Sequence, residues 1–161
     1  MAYDAWSGPA RALARAVDTA VRAALADDLA GFTDVATELR RVEPEVLAVL
    51  LGTMTQALLE RTHPDGLDSD DAEQVLAACE RAAVWYPGYE RDVAVLALVG
   101  ALGVHPGDDG QSGGTPRVAP AAVAEHGLLL VATLLPAPRD LAPLVDAALR
   151  ELHRAQTVEL P

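Results

Sequence analysis

Two stretches of the chain, residues 93–104 and 127–135, are apolar at nearly every position. Neither reaches the roughly 18 residues that a bilayer span requires. Neither keeps the polar stripe of a helix with a wet face. Both read as central helices of a packed all-α core. Around them, apolar residues recur at helical spacing. Leu13, Val17, Val21 and Leu25 share one stripe, opposite Arg11, Arg15, Asp18 and Arg22. With Ser7 as cap and Pro9 in the first turn, this predicts an amphipathic helix ending near Gly31. A short helix is expected over residues 34–41. Pro44 opens the next, apolar almost all round in its first half, which runs to Thr62. Glu73 follows the candidate cap Asp70 by three residues, a capping-box start for a helix with the stripe Ala72, Val75, Leu76, Cys79, Ala82 and Ala83. Glu90 and Asp92 place acids where the first apolar run begins, as the helix dipole favours. Pro120 opens the second run. Asp140 is the expected cap of a last helix, which carries Leu141, Leu144, Val145, Ala148, Leu149 and Leu152 inward and frays after His153.

The breakers separate these elements. His63-Pro64-Asp65-Gly66 and His105-Pro106-Gly107-Asp108 each follow a very apolar helix and precede another. The spacing between them lies in the range of helical-hairpin repeats. The pattern predicts a compact bundle of about six helices, two stacked helical hairpins flanked by N- and C-terminal helices. Residues 1–161 form one domain in this reading, with a flexible glycine-rich loop at about 106–117.

Composition narrows the class. Of 161 residues, 51% are hydrophobic but only 4% aromatic, so the core must be built from Ala, Leu and Val. Ala and Leu lead the helix-propensity ranking, whereas a β-sandwich would carry more Ile, Thr, Tyr and Phe. All basic residues are Arg; with abundant Ala, this is the codon usage of a GC-rich, actinobacterial-like genome. The formal net charge of −12 argues against binding nucleic acid or an anionic membrane surface. It fits solubility or a basic partner. The N-terminus has no basic segment leading into an apolar one, so the reading has no signal peptide and a cytoplasmic protein. Cys79, the single cysteine, excludes an internal disulfide and is expected to be buried and inert.

Candidate chemistry is sparse. Gly110-Gln111-Ser112-Gly113-Gly114 matches G-x-S-x-G, but no strand precedes it to form a nucleophile elbow. Glu60-Arg61-Thr62-His63 supplies one Glu-x-x-His pair, and a di-metal bundle needs a second. The acids Asp65, Asp68, Asp70, Asp71 and Glu73 lack the order of a calcium loop. Pro64-Asp65-Gly66-Leu67-Asp68-Ser69 resembles the acidic inter-helix loops of tellurite-resistance TerB-like proteins. Helix-start punctuation explains the same letters, and no function is carried over from that short likeness. Two features remain. Trp85, Tyr86 and Tyr89 gather half of the aromatic residues at one turn, as an interface or as a plug over the core. His126 opens the most apolar stretch and marks a candidate pocket between the central helices. The sequence gives no cofactor, metal or catalytic set. The expected function is a non-enzymatic acidic helical interaction or accessory protein, with a homodimer or another protein as partner. The alternative is a small-molecule-binding helical protein with an apolar pocket near His126.

Overall fold

Pro9, Pro44 and Pro120 each stand in the first turn of a helix, where a missing N–H removes no bond and the fixed φ is already helical. In a computed structural model that describes residues 2–104 and 117–158, the helices are α1 (Gly8–Leu25), α2 (Leu29–Leu39), α3 (Pro44–Thr62), α4 (Ser69–Ala82), α5 (Arg91–Ala101), α6 (Pro120–Leu134) and α7 (Leu141–Val158). A 3₁₀ turn, Pro138–Asp140, leads into α7. No strand occurs among the described residues, so the expected all-α class holds, with α2 as a full helix beyond the six. The loop expected at 106–117, with Ser112 and His105, lies outside the described residues except for Arg117.

The first stop is earlier than Gly31. Asp27 takes the left-handed conformation (φ 54°), and α1 closes with two back-bonds, Asp28 N–H to Ala23 C=O and Asp27 N–H to Ala24 C=O. This is a Schellman motif with aspartate at the position usually held by glycine. Asp28 then caps α2, its side chain accepting from the Gly31 N–H at 3.0 Å. Gly31 therefore lies in the first turn of α2 and terminates nothing. The cap of α4 is also displaced. Asp68, not Asp70, is the N-cap, and Asp68 and Asp71 bond each other's backbone N–H reciprocally at 2.8 and 3.2 Å. The first apolar run stops at Ala101 rather than His105. Gly103 (φ 74°) allows a second Schellman closure, with Val104 N–H bonding Val99 C=O. The last helix continues past His153 to Val158.

The centre of the bundle is α6. It buries six consecutive residues, His126 through Val131, and packs against α1, α3, α4 and α5. α3 sits beside α6, α5 and α7, while α4 leaves α3 at the His63-Pro64 breaker and packs on α6 and α5. α2 folds back on α1 and lies at the edge of the bundle. The N-terminal segment ties α1 to α7: the Tyr3 hydroxyl donates to Asp18 at 2.8 Å, and the Trp6 indole N–H donates to Asp146 at 2.7 Å. No helix among the described residues is long and apolar enough to cross a membrane.

Candidate functional site

One buried aromatic of α2 organises the edge where that helix meets the α4–α5 turn. Phe32 is fully buried on α2. Trp85 and Tyr86 meet its ring edge-on, with centroids 5.4 and 5.2 Å away and interplanar angles of 84° and 69°. These are favourable aromatic geometries. The chain of rings goes on from Tyr86 to His126 at 6.5 Å and from His126 to Tyr89 at 5.4 Å. Residues singled out separately in the sequence, the aromatic turn and His126, thus form one continuous cluster.

His126 is 1% exposed. Its Nδ1 lies 2.7 Å from the Ala122 carbonyl, which can only accept, so Nδ1 carries the proton. Its Nε2 accepts the Glu90 backbone N–H at 2.9 Å. Glu90 is the N-cap of α5 and makes no side-chain cap of its own. His126 therefore satisfies an orphan donor at the start of α5 from within α6. Both ring nitrogens are committed to backbone, and the ring itself is closed off from the surface.

An opening does exist beside it. A surface cleft of about 350 Å³ runs between α2 and the Tyr86-Pro87-Gly88 turn. One wall is a helical stripe of Leu29, Phe32, Thr33, Ala36 and Arg40, and the other is Tyr86, Pro87 and Gly88. Glu125 of α6 closes one end, accepting the Tyr86 hydroxyl at 2.6 Å and Arg40 Nη2 at 3.0 Å. Burial, then the bond to Glu125, holds the Tyr86 phenol well above its ordinary range. Gly88 leaves room for this ring: a Cβ there would lie 2.7 Å from the Tyr86 hydroxyl and would force the ring to shift. Both elements also carry exposed apolar residues. Leu29 is 40% exposed, and Val84, next to Trp85, is 83% exposed.

Behind the cleft, Tyr89 stacks on His126, and its buried hydroxyl faces the Cys79 thiol, a weak partner, with no stronger one among the described residues. Burial, ahead of Cys79 and Glu80, pushes the Tyr89 phenol up to about 12. Cys79 is fully buried, and burial raises its thiol too, as the sequence stripe led us to expect. At the far side of the bundle, a second hollow surrounds His63, whose Nδ1 is 2.8 Å from Thr62 Oγ1 and whose Nε2 is 3.6 Å from Asp71. Thr62 also lies within hydrogen-bond distance of the Leu58 and Leu59 carbonyls, and Asp71 completes the cap of α4. No group of three or more His, Cys, Asp or Glu that could hold a metal occurs among the described residues.

Sequence reasoning missed Phe32, Arg40 and Glu125. Phe32 carried a signal, since it is the only Phe in the chain and belongs to the Leu29, Phe32, Ala36 stripe. The Arg40–Glu125 pair spans 85 positions and carried none. Comparison with protein-family models, with curated proteins and with solved structures finds no match to this chain.

Proposed function

We propose that the protein is a non-enzymatic interaction protein that recognises its partner at the seam between α2 and the α4–α5 turn. The observation that carries this reading is the cleft itself. It has largely apolar walls on two peripheral elements, with Leu29 in one wall 40% exposed. Concave, largely apolar surface with a few placed polar groups is where binding sites are commonly found. The titratable side chains at its end are engaged, Tyr86 and Arg40 on Glu125, and His126 beside it is bonded to backbone. That commitment supports recognition over proton transfer, which needs a group within reach of a substrate.

A photo-crosslinking residue at position 29 tests the reading in the source cell. A protein adduct is expected from position 29, absent when the residue is placed at exposed position 56 on α3, and lost when Thr33→Trp fills the cleft. Equal adducts from both positions, or none from position 29, would overturn it. A second reading, a small-molecule binder, is favoured by the cleft volume, which falls within the range of about 300–1,000 Å³ typical of ligand sites. A low-mass adduct confined to position 29 would select that reading instead.

A further inference from the structure

Resting on that recognition reading, we infer that the seam it uses is a latched joint. α2 is the moving wall of the cleft, and Glu125 is the positioning residue that holds it closed through Arg40. The wall is thinly attached. α2 packs its backbone on α1 and scarcely on any other helix. Of its 11 residues, Phe32, Ala36 and Leu39 are buried. Between α2 and the aromatic turn lies the cleft of about 350 Å³, and the Phe32 ring, edge-on to Trp85 and Tyr86, bridges the two walls. Elements with few buried apolar contacts open locally at a smaller free-energy cost than the core. Short links, 26–28 and 40–43, join α2 to its neighbours. Asp27, in the left-handed region at φ 54°, makes the sharp turn at the first of them. A few residues at element ends are where hinges form.

Glu125 supplies the second bridge. It stands on α6, the centre of the bundle, and accepts from both walls at once: from the Tyr86 hydroxyl at 2.6 Å and from Nη2 of Arg40, the C-cap of α2, at 3.0 Å. The two halves of this bridge are unequal. The Glu125 side chain is 13% exposed and its bond to Tyr86 is part-buried, whereas the Arg40 side chain is 58% exposed. Water and salt compete for Arg40 far more than for Tyr86. The joint therefore parts at Arg40 first. α2 then lifts from the seam, while Tyr86 and Glu125 stay paired on the fixed side.

Amide hydrogen exchange on the full chain tests the latch, with α3 as the internal reference. In the wild type, the amides of α2 are expected to exchange together and faster than those of α3. Arg40→Gln, at an exposed site, should speed α2 about two- to fivefold, which is what an exposed ion pair is worth, and leave α3 unchanged. Glu125→Gln should speed α2 at least as much. Salt separates a latch from a general loosening of the fold. Raising it toward about 1 M, where the screening length falls to about 3 Å, should speed α2 relative to α3 in the wild type and have no such effect in Arg40→Gln. Exchange of α2 no faster than α3 in the wild type would overturn the inference. So would α2 rates unmoved by both variants, or a salt effect that persists in Arg40→Gln. The latch and the recognition reading fail separately. If α2 opens as expected but position 29 yields no adduct, the recognition reading fails and the latch stands. If position 29 crosslinks to a protein while α2 exchanges only together with α3, the latch fails and the recognition reading stands.

Discussion

α5 and α6 come from the two most apolar stretches of the chain, yet the bundle treats them differently. α6 buries every residue from His126 to Val131, whereas α5 buries only Val93, Ala94, Leu98 and Ala101. Val95, Leu96, Ala97 and Val99 are partly open, and Leu102 and Val104 beyond the helix are exposed. The difference lies in the neighbours. α6 is surrounded by α1, α3, α4 and α5; α5 is covered by α3, α6 and part of α4. Hydropathy sets how much burial a helix tolerates, and its place in the bundle sets how much it receives.

Truncation should expose this contrast most strongly. Leu130 is fully buried, so Leu130→Ala is expected to cost about 2–5 kcal/mol, the range for emptied core sites. Leu96→Ala, from a partly open site on α5, should cost less than half as much. Urea melts of the two variants measure it, and equal losses would mean that α5 is as central as α6.

The joint between the two helices is the next point to break. His126→Leu keeps most of the side-chain bulk but strands the Glu90 N–H at the start of α5. An unsatisfied buried donor costs about 1–3 kcal/mol, and this part-buried bond should cost at the lower end of that range. Hydrogen exchange should quicken first at the beginning of α5. A variant as stable as the parent, with unchanged exchange there, would show that this bond holds nothing.

Alkaline titration probes the ring cluster on the same joint. The chain contains no lysine, and its three tyrosines, Tyr3, Tyr86 and Tyr89, all have phenols raised by burial first, with Asp18 and Glu125 adding to Tyr3 and Tyr86. Unfolded phenols ionise near about 10, while Tyr89 keeps its proton to about 12. Each folded value lies above the unfolded one, so stability is intact below pH about 10 and is lost as pH rises through about 12. Absorbance near 295 nm and the helical signal should change together. Phenol ionisation at about pH 10 in a chain that stays helical would show the rings to be open to water.

The smallest effect separates two glycines. A Cβ at Gly100 on α5 meets nothing within 4 Å, whereas one at Gly127 on α6 comes within 3.2 Å of Leu51. Gly100→Ala, in the last turn of α5, should raise stability by up to about 0.5–1 kcal/mol, the gain in a helix interior. Gly127→Ala should gain less or lose, and matching thermal shifts for the two would remove this last distinction between the helices.

Much of this was legible in the chain and some was not, for reasons that differ by residue. The prolines at 9, 44 and 120 mark helix starts because they act locally, through their own φ and missing N–H. Cys79 could be placed in the core because five apolar positions share its stripe. Gly31 misled because the left-handed closure of α1 falls on Asp27, a residue type that seldom takes it, and the capping aspartate follows at once. The aromatic turn and His126 stood out by scarcity, but nothing local joined them, since their contacts cross between α4, α5 and α6.

By itself, the sequence determined that the protein is helical, where most helices begin, which faces turn inward, and that its surface is acidic. These follow from short-range periodicity, capping and charge. Only the tertiary structure decided that α6 rather than α5 is the centre, that α4 packs on α5 and α6, and that Phe32, Arg40 and Glu125 meet the aromatic turn to form a cleft. Those arrangements depend on packing and on pairs such as Arg40 and Glu125, 85 positions apart, whose attraction leaves no trace in the spacing of either residue's neighbours.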